Sequence, residues 1–123
     1  MFKTVSFFGT CPASSRLTLV SDRIGHPYMV KHVRVSFADG PGNLMPLEFI
    51  ISEDDEAPTA GRPSGISILD EYGQVAYIKG DGEVVEMVHE VDVPVANTWL
   101  KVYGNNADID EHAINVQICI KIE

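Results

Sequence analysis

The 123-residue sequence predicts an all-β chain, and three observations carry that expectation. Apolar residues recur at every second position over five segments, Gly, Asn, Asp and Pro punctuate the gaps, and no stretch shows helical spacing. Strict alternation puts one face of each strand on a core and the other in water, as in antiparallel sheets. A parallel sheet, covered on both faces, would give continuous apolar runs instead. The expected architecture is therefore an antiparallel two-sheet sandwich, jelly-roll-like, of about eight strands, because double sheets limit exposed edges.

In chain order, Phe2 to Phe8 and Leu17 to Val20 are weaker strand candidates. Residues Met1 to Ser15 pattern weakly enough to read as an N-terminal arm, which something outside the domain, such as a neighbouring subunit, would have to hold. From Tyr28 to Phe37, Met29, Val33, Val35 and Phe37 share a face opposite His32, Arg34 and Ser36. From Met45 to Ser52, Met45, Leu47, Phe49 and Ile51 share a face. Ile66 to Leu69 and Val75 to Ile78 are again weaker. From Val84 to Val95, Val85, Met87, Val91, Val93 and Val95 oppose Glu86, Glu90 and Asp92. Leu100 and Val102 oppose Trp99, Lys101 and Tyr103, and Ile114, Val116, Ile118, Ile120 and Ile122 oppose Asn115, Gln117 and Lys121. Turns are expected at Asp39–Asn43, Asp70–Gly73, Gly80–Gly82 and Gly104–Asn106, where Gly and Asn accept positive φ. Pro94 cannot donate to a ladder and marks a strand end. Glu53 to Ser64 reads as an exposed surface loop with no catalytic role, in which Asp54 and Asp55 could be replaced by Asn with the fold intact.

A chain of this length can bury a core without staples, and the whole of residues 1–123 is expected to be one domain. The net charge of −9, from 18 acids and 9 bases, repels nucleic-acid phosphates and anionic membrane surfaces, so neither partner is expected. No run approaches the roughly 20 apolar residues of a membrane helix, and Val5 to Phe8 is too short for a signal-peptide core. A cytoplasmic location is the expectation if the protein is cellular. Cys11 and Cys119 show no metal-ligand spacing. Two free thiols are favoured, with a Cys11–Cys119 disulfide as the alternative.

No catalytic constellation is legible. The four histidines, His26, His32, His89 and His112, make no His-x-His pair, and Gly65-Ile66-Ser67-Ile68 does not complete a nucleophile elbow. Phosphate-binding and dinucleotide loops are missing. No cofactor is expected apart from calcium. Its candidate ligands form two acidic clusters, Glu53-Asp54-Asp55-Glu56 and Asn106, Asp108, Asp110 and Glu111; the alternating oxygens of the second follow the start of a calcium loop but lack its sixth-position glycine and twelfth-position glutamate. Trp99 and Tyr103 fall on one side of a strand with Lys101 between them. They could pack on the second sheet, stack on a sugar, or serve as a subunit contact, where Trp and Tyr are enriched.

The segments GISILDEYGQVAYIKGD, VHEVDVPVANTWLKVYGNNAD and EHAINVQICIKI, within Ile66 to Ile122, resemble small β-sandwich accessory proteins of tailed-phage virions, of the head-decoration or cement type. That resemblance implies a non-catalytic virion protein that self-associates, with a trimer favoured, and that docks on a major capsid protein or another virion protein. The alternative function is a carbohydrate-binding sandwich module using Trp99 and Tyr103.

Overall fold

The computed structural model describes residues 1–38, 40, 42, 44–58, 61–69 and 77–122, the His89 side chain excepted. The expected turn at Asp70–Gly73, three residues of the Asp39–Asn43 turn and half of Val75–Ile78 lie outside that set. Eight strands appear among the described residues: β1 (Phe2–Cys11), β2 (Arg16–Val20), β3 (Tyr28–Ser36), β4 (Leu47–Ser52), β5 (Ile66–Ser67), β6 (Val84–Val93), β7 (Trp99–Asn105) and β8 (His112–Ile122). They form two four-stranded antiparallel sheets, ordered β1-β8-β3-β6 and β2-β7-β4-β5.

The pairs β1–β8, β2–β7, β3–β6 and β4–β5 nest inside one another. The chain is thus a long hairpin rolled into a sandwich, which is the jelly-roll connection. Between the sheets lies a single core, built from the shared faces the alternation defines. Val33, Val35, Phe37, Leu47, Phe49, Val91, Val93, Leu100, Val102, Val116, Ile118 and Ile120 are all buried there. Pro94 follows the last residue of β6, as a residue without an amide proton should.

Two features depart from the sequence reading. Residues Phe2–Cys11 are not an arm. They pair with β8 without interruption from Phe2–Lys121 to Cys11–His112, and they send Phe7 and Cys11 into the core. The segment looked weak because an edge strand needs few apolar residues, and its own chain holds it. The second departure is in β3, where the register slips between Val30 and His32 against both neighbours. This bulge reverses the inward face, so Tyr28 and Val30 are buried and Met29 is not. Strict alternation, counted back from Val33, had put Met29 inward.

The thiols follow the favoured reading. Cys11 lies on the inward face opposite His112, whereas Cys119 is opposite Thr4, on the outer face. Seven residues of strand separate the two rows, about 23 Å at ~3.3 Å per residue. A disulfide needs Cα atoms within ~7 Å, so the two cysteines are free and the Cys11–Cys119 alternative is excluded. Burial pushes the Cys11 thiol above its ordinary pKa.

Candidate functional site

The strip Trp99–Lys101–Tyr103 lies on the outer face of the second sheet, since Leu100 and Val102 take the core face. An uncovered strip would stand in water. Instead, Lys101 is wholly buried, Tyr103 is 5% exposed, and Trp99 is half-buried. The cover is the loop Glu53–Ser64, which is pinned to three strands. Thr18 on β2 donates its hydroxyl to the Pro58 carbonyl at 3.2 Å. Arg62 donates to Glu48 on β4 at 2.9 Å, and Lys101 on β7 donates to Asp54 at 2.6 Å. Thr18 and Glu48 are the residues directly opposite Tyr103 on its two neighbouring strands. The loop therefore closes over the tyrosine from both sides.

Asp54 is the centre of this clasp. Beyond Lys101, its carboxylate accepts from the Glu56 amide at 3.0 Å and the Ser64 hydroxyl at 2.9 Å. The Lys101 hydrogen bond, followed by these two, holds its carboxyl down to about 2. At the far end of the loop Gly65 has φ +138, and a Cβ there would come within 2.5 Å of both Ile50 Cγ2 and the Ile51 carbonyl oxygen. The chain returns to β4 so tightly that only glycine fits. The described residues of Glu53–Ser64 thus lie over the outer face of this sheet. The pairing of Asp54 with the buried Lys101 speaks against the expectation that Asp54 is as freely replaced as Asp55. The open platform of Trp99, Lys101 and Tyr103 is corrected: Trp99 alone among them keeps substantial exposure.

The Asn106–Glu111 cluster is placed equally firmly. Asn106 is buried, and its amide nitrogen donates to the carbonyls of Cys11, Pro12 and Asp110. Its side-chain oxygen accepts from the Asp108 amide at 3.0 Å. The Asp108 carboxylate bonds the Ile109 amide and sits 2.7 Å from His112 Nε2, contacts that lower its pKa, His112 first. Asp110 contributes a carbonyl, not its carboxylate, while Asp110 and Glu111 side chains face solvent. Asn106, Asp108, Asp110 and Glu111 therefore do not converge as a calcium cage. They form a clasp that ties the β7–β8 turn to the end of β1, and among the described residues no group of three metal-ligating side chains assembles. His26 is exposed, and the His89 side chain lies outside the described residues.

Sequence reasoning missed one feature. A cleft of about 500 Å³ opens beside β6, between its end and the β4–β5 corner. Its lining combines Ile51, Ile66, Val93 and Val95 with the acidic residues Glu53, Asp54 and Asp92. Ile66 and Val95 are unusually exposed for their type, at 68% and 50%. Ile66 lies in β5, and Val95 lies beyond the end of β6 and not on its inward face as alternation expects; the cleft has no local signal, because two sheets meet to make it.

The sequence matches no protein-family model and no curated protein. The fold, however, is shared with solved structures. A chain of the Broad Bean Stain Virus structure superposes with a TM-score of 0.54 at 6% identity, covering 100% of this chain and 86% of that one. A chain of the naturally occurring empty particles of cowpea mosaic virus gives 0.51 at 8% identity, with coverage of 100% and 86%. Chitosan-binding module 1 of a chitosanase/glucanase from Paenibacillus sp. IK-5 gives 0.55 at 9% identity, with coverage of 92% and 74%. At these identities the likeness is one of fold: the chain is a two-sheet β-sandwich of the kind seen in virus particles and in a polysaccharide-binding module.

Proposed function

We propose that this chain is a non-catalytic structural protein of a virion, a decoration or cement protein that self-associates and docks on a shell of capsid protein. One observation carries the reading. The whole chain, not a part of it, takes the sandwich found in the two virus particles, and it spans most of each particle chain. The internal chemistry fits that role. Its most perturbed carboxylates, Asp54, Asp108 and Glu90, are held by Lys101, His112 and Lys31 within the fold. Such groups stiffen a sandwich and leave its faces for contact. The narrower tailed-phage identity rests on the strand cadence of residues 66–122. The test is electron microscopy of the purified chain alone and mixed with host-range particles. Regular decoration of a shell is expected, and a chain that leaves every particle bare would end the reading.

A second reading has its own support. The chitosan-binding module shares the fold, and the acidic residues Glu53, Asp54 and Asp92 that line the cleft suit a cationic amino sugar. With Tyr103 covered, that reading keeps only Trp99 as a stacking surface. Glycan binding that disappears in Trp99→Ala would favour it.

A further inference from the structure

Each sheet of this sandwich ends in two edge strands, and unpaired edges invite another strand unless they are blunted. Three of the edges are. Strand β5 is two residues long, and β2 is five. Strand β6 carries Glu86, Glu90 and Asp92 and pairs through an irregular register. Strand β1 has none of these devices. It runs for ten residues, FKTVSFFGTC, with one charge, no proline and no bulge.

The backbone fixes which groups β1 offers. Met1 and Ile122 exchange both hydrogen bonds, Ile122 N–H to the Met1 carbonyl at 2.8 Å and Met1 nitrogen to the Ile122 carbonyl at 3.3 Å. In an antiparallel ladder bonded pairs alternate, so the odd residues of β1 bond to β8. Phe2, Thr4, Ser6, Phe8 and Thr10 therefore aim their N–H and C=O groups at the free edge. The same residues carry the outward side chains, and Phe2 and Phe8 are 65% and 66% exposed.

We propose that two copies of this chain join β1 to β1, antiparallel, about a two-fold axis at Val5. This rests on the assembly reading above and names its first contact. In that register Phe2 faces Phe8 of the second copy, Thr4 faces Ser6, and each pair is hydrogen-bonded. Two exposed phenylalanines, Phe2 with the Lys121 ammonium 5.9 Å from its ring centroid and Phe8, thereby gain an aromatic partner each, a cross-strand pair on either side of the axis. Lys3 faces Phe7 of the second copy, not the second Lys3. Charge selects the same edge. At −9 the copies repel one another, and β1 has a lysine and no acid. The four-stranded sheets merge into one sheet spanning both copies, closed by symmetry.

Sedimentation velocity of the full chain over a dilution series tests the seam. A single strand-to-strand contact is a small interface, so a dimer that dissociates on dilution is expected. Phe8→Lys should make the chain monomeric at concentrations where the wild type is dimeric, with unchanged circular dichroism. Ser6→Pro is an independent check, because the Ser6 N–H faces the free edge and its loss spares the β8 ladder. The register has its own readout. Val5→Cys places two thiols in a closely spaced non-bonded pair, and mild oxidant should link it into dimers while leaving the wild type unlinked. A trimer, or a ladder of higher masses, would overturn the seam while leaving self-assembly intact. A chain that is monomeric at every concentration, yet still decorates a shell, would overturn the seam alone. One that is monomeric and binds no particle would overturn both readings.

Discussion

Ile118→Ala is the most incisive test of the sandwich. Ile118 is fully buried on β8, paired with Val5 on one side and Val33 on the other. Alanine removes three buried carbons, worth about 2.4 kcal/mol at ~0.8 kcal/mol each. A residual hole of about 50 Å³ adds roughly 1.2 kcal/mol at ~24 cal/mol per Å³. The sum, about 3.6 kcal/mol, lies within the usual range for this exchange. An unfolding entropy near 2.1 cal/mol/K per residue gives roughly 0.26 kcal/mol/K for 123 residues, so Tm should fall by about 14 °C. Ile109→Ala is the control, because Ile109 is 83% exposed and should shift Tm by no more than about 2 °C. Calorimetry on both variants, with denaturant midpoints at constant slope, makes the comparison. If Ile118→Ala moves Tm as little as Ile109→Ala, β8 does not occupy the middle of the first sheet.

The remaining predictions concern the two clasps. Asp54→Asn should lower Tm clearly, because it leaves the buried Lys101 ammonium without its counter-charge, while Asp55→Asn on the exposed side of the loop should be close to neutral; thermal melts of the two variants decide. Acid should act through the same group: with a folded pKa of about 2 against an ordinary 3.8, Asp54 contributes stability that is fully present above about pH 5 and drains away as pH falls toward 2, and urea titrations should show a shallower decline over that window in Asp54→Asn. Gly65→Ala should cost about 1–3 kcal/mol through its positive φ and the approach to Ile50, measurable as a lowered urea midpoint. Asn106→Ala should destabilise by orphaning the carbonyls of Cys11, Pro12 and Asp110, by the same amount in calcium as in chelator; a difference between the two buffers would return the cluster to a cation site.

What could be read from the sequence was whatever depends on a strand's own two faces. Phe49, Val116 and Ile118 are buried because alternation alone assigns them to the core, and Pro94 ends β6 by lacking an amide proton. What could not be read depends on something outside the strand. Lys101 sits where alternation expects water, and only the return of the Glu53–Ser64 loop across the sheet makes it a buried cation. Met29 and Val30 exchange faces because of a bulge that no single residue announces. Asn106, Asp108 and Asp110 have cation-loop spacing, yet the nearby end of β1 supplies carbonyls that claim the Asn106 amide first. The weak patterning of Phe2–Cys11 belongs to an edge strand held by β8, so the argument that a neighbouring subunit must hold it lapses.

The central claim is that this sandwich works by assembling and not by binding a sugar. Sedimentation velocity across a concentration series, run with and without a chitosan oligosaccharide, tests it most directly. The account predicts mass that rises with protein concentration and is indifferent to the sugar. A strict monomer that binds the oligosaccharide saturably, and loses that binding in Trp99→Ala, would contradict it.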